Sequence, residues 1–364
     1  MLMNRSTPLL DETRTRAASW AAPHLEHEEV RLLRGPRTGI PVVVAIHSTE
    51  AGPATGGCRL REYDHWTDGV TDALRLSEAM TTKCALGGLP HGGGKTVAIL
   101  REPIDPTQHD LLIRDIGDLI GSFEGRYITG PDIGTSPQDM QVLHEATGGF
   151  AYCRPEGAGG SGNSNTATAR GVLAALRTAV EHELGGRSVS GLRVGVVGHG
   201  QVGRLLAKDL AADGATVQVH DIDATHRRDV ESSGMVWWDT PSPSDPVDIL
   251  VPAATGGVLT PETARTCRAR LIVGPANNQL TDDVVDQVLH RRGITWVPDV
   301  LASSGGVIYA VSREGLGLDH AAAIGRVDSI AATTGELLAE VGGQHATPLQ
   351  AARRIAQERI RGAA

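Results

Sequence analysis

Apolar positions follow two periods along this chain, and together they predict an α/β protein. Glu29 to Leu33 and Pro41 to Ser48 are apolar runs around the turn-rich Gly35-Pro36-Arg37-Thr38-Gly39, which predicts a hairpin. Val70, Ala73, Leu74 and Met80, with the small Ser77 between them, share one helical face. That helix ends before the glycine-rich segment Gly87 to Gly94, and Val97 to Leu100 reads as a short strand. A second amphipathic helix carries Leu111, Leu112, Ile116, Leu119, Ile120 and Phe123, and a strand follows at Tyr127 to Thr129. Ser136 to Ala146 predicts a helix, with Ser136 as N-cap and Pro137 at its first position.

The character changes near residue 155. Glu156 to Asn165 is small and polar, as expected of a flexible domain boundary. Beyond it, strands and helices alternate. The helices are Thr168 to Leu184 and Val202 to Ala212. The strands are Arg193 to Val197, Thr216 to His220, Asp248 to Pro252, Leu271 to Val273 and Thr295 to Val297. That alternation predicts a doubly wound parallel sheet. The tail, Ala321 to Ile360, reads as helix alone.

A length of 364 residues fits two domains. With 5 Trp, 4 Tyr and 2 Phe, the core must be built from aliphatic residues, and 45 glycines require many tight turns or close approaches. A net charge of −9 argues against nucleic-acid partners. Cys58, Cys84, Cys153 and Cys267 are too widely spaced for a zinc site or a disulfide framework. Met1 to Ala22 carries charges throughout, so no signal peptide is expected, and no window suits a membrane span. A cytoplasmic protein is the expectation.

The apolar strand Leu192 to Val197 runs into Gly198-His199-Gly200-Gln201-Val202-Gly203, a GxGxxG turn opening a helix. Asp221 ends the next strand eighteen residues later. In such a unit the first glycine allows the turn and the second admits the pyrophosphate. The third permits close helix packing, and the acidic residue takes the ribose hydroxyls. Asp221 favours NAD over NADP, although Arg227 and Arg228 lie nearby. His199 reads as filling a variable position.

Lys83 and Lys95 stand twelve apart, the second after Gly92-Gly93-Gly94. Gly94-Lys95-Thr96 is not a P-loop, because Leu89 occupies the position of the required first glycine. Two readings stand level on spacing alone. The glycines could pack backbone against a substrate and place Lys95 in a closed cleft, where desolvation makes it a base. Otherwise Lys95 is a surface lysine after a loop.

Seven blocks occur in order: GGCRLREY (56–63), MTTKCALGGLPHGGGKT (80–96), TGPDIGTSPQDM (129–140), SGNSNTATARGV (161–172), GVVGHGQVG (195–203), GPANNQL (274–280) and PDVLASSGGVI (298–308). The chain thereby resembles the leucine/phenylalanine/valine dehydrogenase branch of the glutamate dehydrogenase superfamily. The Gly-Pro-Asp block and Val311-Ser-Arg-Glu-Gly-Leu look closest to phenylalanine dehydrogenases.

The resemblance implies an N-terminal mixed-sheet substrate and oligomerisation domain over 1–150 and a Rossmann-type NAD domain over 151–300. Helices over 301–364 would pack back across the cleft. It assigns Lys83 to the substrate carboxylate, Lys95 to catalysis and Asp132 to proton handling at the amino group. Gly56 and Gly57 would form a backbone wall beside the substrate. Thr168 and Asn277, with Asn278, would lie near the cofactor, beside Gly198, Gly200, Gln201, Val202, Gly203 and Asp221. The implied reaction is hydride transfer from the α-carbon of an apolar, phenylalanine-like L-amino acid to NAD. Attack of water activated by Lys95 follows, with release of ammonia and a 2-oxo acid. A homo-oligomer, at least a dimer, is implied.

The sequence departs from this pattern at several places. Ser303 replaces an asparagine that contacts the substrate carboxylate, and Ser304 follows where alanine is usual. Ala253 replaces a usual cysteine, and Thr82 and Cys84 flank Lys83 where bulkier or amide residues are common. The departures bear on the substrate more than on the reaction. They leave a branched-chain substrate, a modified amino acid, or a silent NAD-binding homologue as alternatives. His91 reads equally as a substrate contact or a solvated loop residue, and Asp139 as a first-turn helix charge.

Overall fold

The computed structural model describes residues 26–185, 188–344 and 346–363. The Met1 to Ala22 stretch discussed above lies outside them. Two sheets organise the chain, one mixed and one parallel.

The first sheet is built from β1 (Glu29–Arg34), β2 (Pro41–Ser48), β3 (Ala54–Glu62), β4 (Gly92–Leu100) and β5 (Tyr127–Pro131), in the order β1-β2-β4-β3-β5. β1, β2 and β4 pair antiparallel, whereas β3 lies parallel to both β4 and β5. Helix α1 (Trp66–Leu86) covers one face, and α2 (Pro106–Gly121) with α3 (Pro137–Thr147) covers the other. Ser136 and Asp139 close a capping box at the start of α3, which makes Asp139 structural.

The glycine triplet 92–94 is not a loop but the buried beginning of the central strand β4. A Cβ at Gly92 would stand 1.8 Å from the Ser48 carbonyl, and one at Gly93 would stand 2.2 Å from the Thr81 amide. Gly93 therefore lets β4 pass close under α1, Gly92 fits against the end of β2 and Gly94 against the Tyr127 ring, so the glycines pack against protein rather than substrate. β3 is a second departure from the hydrophobic pattern, because glycines and arginines interrupt its alternation.

The second sheet is six-stranded and parallel. Its strands are β6 (Arg193–Val197), β7 (Thr216–His220), β8 (Val236–Trp237), β9 (Ile249–Pro252), β10 (Leu271–Ile272) and β11 (Thr295–Trp296), in the order β11-β10-β9-β6-β7-β8. Strand order reverses between β6 and β9, which run parallel; this is the switch point where such sheets bind ligands at their carboxyl ends. Helices α4 (Asn165–Leu184), α5 (Gln201–Ala212), α6 (Arg227–Ser232), α7 (Pro261–Thr266) and α8 (Val284–Arg291) connect and cover it.

Two short helices, α9 (Asp299–Ala302) and α10 (Gly305–Ala310), run into a π-turn at Val311–Gly315. The tail is α11 (His320–Asp328), α12 (Ile330–Gln344) and α13 (Pro348–Ala363). It reaches back to the end of α1: Arg359 donates to the Leu86 carbonyl at 2.6 Å and Arg326 to that of Gly88 at 2.8 Å. Cys84, Ala85, Leu86 and Leu89 are buried in the same core as the parallel sheet, so the end of α1 is clamped between the two layers. No helix among the described residues is long and apolar enough to cross a membrane.

The connector Glu156 to Asn165 is anchored rather than loose. Glu314, from the π-turn, accepts the Cys153 amide at 2.6 Å, the Ser161 amide at 2.9 Å and Arg154 Nε at 3.0 Å.

Candidate active site

A cavity of about 330 Å³ lies between the two sheets, lined by Gly56, Gly57, Lys83, Lys95, Asp132 and Ser303 among others. Lys95 occupies the middle of β4 and Asp132 follows β5 directly, with β3 between those strands. Gly57 is the notch that lets them meet. A Cβ there would stand 2.8 Å from Asp132 Cβ and 2.9 Å from Lys95 Nζ. Through this gap Lys95 Nζ donates to Asp132 Oδ2. Gly56 serves another contact, since its Cβ would fall 1.7 Å from the Gly94 carbonyl oxygen of the adjoining strand. Of the two glycines, Gly57 adjoins the cavity's charged pair, and Gly56 fits the sheet.

Burial would raise the Asp132 carboxyl, but Lys95 and Arg59 outweigh it and hold the group well below the usual carboxylate range. Arg59 is 6% exposed and bridges two carboxylates, Asp132 at 3.0 Å and Asp72 at 2.8 Å. Tyr63 and Arg75 also donate to Asp72, at 2.7 and 3.1 Å. Sequence reasoning missed this bridge. Its only signal was an arginine inside an otherwise buried strand, a position that requires a partner.

Across the cavity, Lys83 Nζ in the last turn of α1 donates to Asn277 Oδ1 at 2.9 Å and to Ser303 Oγ at 2.8 Å. Burial pushes the Lys83 ammonium down, against the attraction of Asp299. Ser303 in turn donates to the Asp299 carbonyl at 2.6 Å.

The dinucleotide turn opens on the same cavity, which Val202, Thr168 and Ala253 also line. Gly198 has φ of 116°, and Gly203 would drive a Cβ to 2.1 Å from the Gly198 carbonyl. Both positions therefore demand glycine. A Cβ at Gly200 would meet nothing, leaving its backbone open to a ligand. Gln201 begins α5 and accepts from Asn163 at 3.1 Å and from Asn165. Asp221 accepts the amides of His199 at 2.6 Å and Asp223 at 2.9 Å. Against the effect of burial, those amides lower its pKa. Ile222, beside it, is 98% exposed. An apolar side chain in water beside this carboxylate suits the face of a purine, so the residues fit a dinucleotide.

Two family models match the chain: Glu/Leu/Phe/Val dehydrogenase, dimerisation domain, over residues 27–148, and Glutamate/Leucine/Phenylalanine/Valine dehydrogenase over residues 218–314. A phenylalanine dehydrogenase of Caldalkalibacillus thermarum is 36% identical, the alignment covering 92% of this chain and 91% of that protein. A valine dehydrogenase of Streptomyces virginiae is also 36% identical, over 92% and 94%. The crystal structure of L-tryptophan dehydrogenase from Nostoc punctiforme superposes with a TM-score of 0.77 at 32% identity, covering 93% of this chain and 97% of that one.

This chain belongs to the Glu/Leu/Phe/Val dehydrogenase family. It is an amino-acid dehydrogenase, an oxidoreductase of a family that uses a nicotinamide cofactor and self-associates through its N-terminal domain.

Within this dehydrogenase, some residues stand apart from the chemistry. His91 is 6% exposed, bonded to the Pro53 carbonyl at 2.8 Å and set edge-on to Tyr152; it is neither a solvated loop residue nor a member of the cavity lining. His199 does more than fill a position, since its buried ring holds Asp229 at 3.0 Å and ties the glycine turn to α6. Cys84 is buried, and its thiol is pushed up to about 12 by desolvation, which fits packing rather than reactivity.

Proposed function

We propose that this enzyme catalyses the NAD-dependent, reversible oxidative deamination of an apolar L-amino acid, preferring a phenylalanine-like side chain. The observation that carries this reading is the meeting of the Lys95–Asp132 pair and Lys83 in one buried cavity that the glycine turn also borders. Lys83 takes the substrate carboxylate as a compact ammonium charge. Bound nicotinamide supplies the acceptor for the α-hydrogen and its electron pair. Asp132, held ionised, accepts a proton from the amino group; Lys95 polarises the α-carbon as the ammonium, and only after releasing that proton to solvent does its neutral amine remove a proton from the attacking water.

Three observations support the finer assignments. Leu76, Met80, Val300, Val307 and Ala310 line the cavity beyond the lysines, which suits an apolar side chain. Arg59, the remaining cation in the lining, is committed to Asp72 and Asp132, so no cation is left for a second substrate carboxylate. Ionised Asp221 would repel a 2′-phosphate, which favours NAD, and Arg227 is paired with Glu231 and Asp239.

The test is NADH formation with NAD and a panel of L-Phe, L-Tyr, L-Trp, L-Leu, L-Val, L-Ile and L-Glu. Turnover led by an aromatic member supports the proposal. A lead by Leu or Val moves the substrate to the branched-chain class, and no turnover despite NAD binding refutes the reaction.

A further inference from the structure

Lys83 is 9% exposed, and among the described residues no carboxylate comes within ion-pair distance of its Nζ; both its hydrogen-bond partners are neutral. Burial and repulsion by Lys95 both favour the uncharged amine, which could not hold a carboxylate. The groups that act electrostatically on Lys83 are Asp299, Lys95, Cys84 and Asp132, and Asp299 leads those favouring the ammonium.

Asp299 is 6% exposed and borders the same cavity. Its Oδ2 accepts the Asn278 amide at 2.8 Å. That bond holds Asn278 at φ of 52°, a left-handed conformation asparagine tolerates better than most residues. Asn277, next in the chain, thereby presents Oδ1 to Lys83. The Asp299 carbonyl takes the Ser303 hydroxyl proton at 2.6 Å, which turns the serine lone pairs toward Lys83. One residue thus supports Lys83 in three ways, through charge, through the backbone of 277–278 and through Ser303.

We infer that Asp299 is a positioning residue for substrate binding: its buried carboxylate, bordering the same cavity, is the counter-ion of Lys83, and its hydrogen bonds aim the two side chains that hold the lysine. The inference rests on the assignment of Lys83 to the substrate carboxylate. Burial pushes the Asp299 carboxyl up and the Lys83 ammonium down, so the two keep their charges together or lose them together. Substrate binding is then lost as pH rises through the lowered Lys83 value, and removing Asp299 brings that loss to lower pH.

Asp299→Asn removes the charge and keeps one oxygen for the Asn278 amide, at the cost of one of the acceptor positions that the backbone around Gln279 also uses. The full-length enzyme, saturated with NAD, would be assayed across pH for kcat and KM. Inhibition by 3-phenylpropanoate, which lacks the amino group, would report the carboxylate subsite alone. On the alkaline side of the Lys83 limb we expect KM and the inhibition constant to rise about tenfold, with kcat changed far less and little change below the limb. The alkaline loss of binding should begin about one pH unit earlier, the same factor expressed on the pH axis. Asp299→Glu controls for packing and should bring the alkaline limb back toward its wild-type position. An unmoved limb in Asp299→Asn, or a limb displaced equally in both variants, would overturn the counter-ion role. Absence of wild-type turnover would instead count against the proposed reaction.

Discussion

Replacing Arg59 with methionine, which preserves length and apolar bulk, should expose how much of the N-terminal layer depends on one buried cation. Arg59 joins two carboxylates whose side chains are 9% and 18% exposed, and its own side chain is 8% exposed. Removing one partner of a buried pair costs about 3–5 kcal/mol, chiefly because the remaining charge is stranded. Here neither carboxylate is left alone: Asp132 keeps Lys95, and Asp72 keeps Tyr63 and Arg75. The lower end, about 3 kcal/mol, is therefore expected. At about 2–4 °C per kcal/mol for a domain of this size, the melting temperature should fall by about 6–12 °C near neutral pH. The pH dependence has a definite sign. Both carboxyls lie below their ordinary value in the folded protein, so Arg59 contributes stability that is fully present above that ordinary value and is lost as pH falls from it through the lowered folded values. Scanning calorimetry at neutral pH and again below the ordinary carboxylate value reads both effects. A variant that melts with the wild type, or a deficit that does not shrink on acidification, would refute the account.

Lys95→Ala should lower kcat by about 10²–10⁴, the range for loss of a general acid–base group, while NAD titration by fluorescence stays unchanged. Gly57→Ala should fold at a cost of about 1–3 kcal/mol yet lose most activity, because the new methyl stands between Lys95 and Asp132; Gly56→Ala, striking backbone, should cost more than about 3 kcal/mol and lower soluble yield. All four cysteines are buried, with Cys58, Cys84 and Cys153 pushed up to about 12 by desolvation and Cys267 also raised. The native enzyme should thus react slowly with a chromogenic disulfide at neutral pH, and fast reaction of any thiol before unfolding would contradict that burial.

Periodicity found the parallel sheet well, because strands such as Arg193–Val197 and Thr216–His220 are apolar runs bounded by clear turns. It failed at β3 and at the start of β4, where glycines replace the side chains that make a period visible. Those glycines are required by neighbours distant in sequence, namely Ser48, Thr81 and Asp132, so no local window could reveal them as strand. The candidate site was legible as a set of residue types in motifs; Gly56, Gly57, Lys83, Lys95, Asp132, Ser303, Thr168, Val202 and Asn277 line one cavity, whereas Gly198, Gly200, Gln201, Gly203 and Asp221 lie outside its lining.

What the sequence alone determined were the features encoded by neighbours: a GxGxxG turn whose first glycine needs a positive φ, a capped α3, and an aliphatic core split between two layers. What only the tertiary structure decided was how charge is shared in the cleft. Lys95 and Asp132 are 37 residues apart, Lys83 and Ser303 220 apart, and Arg59 and Asp132 73 apart. Whether such groups neutralise, repel or orient one another depends on separations of a few ångströms inside a medium from which water is excluded, where Coulomb energies are large. Chain order carries no record of those separations; the folding of β3 between its two partner strands creates those at Asp132, and the packing of the end of α1 against the turn after α9 creates that of Lys83 and Ser303.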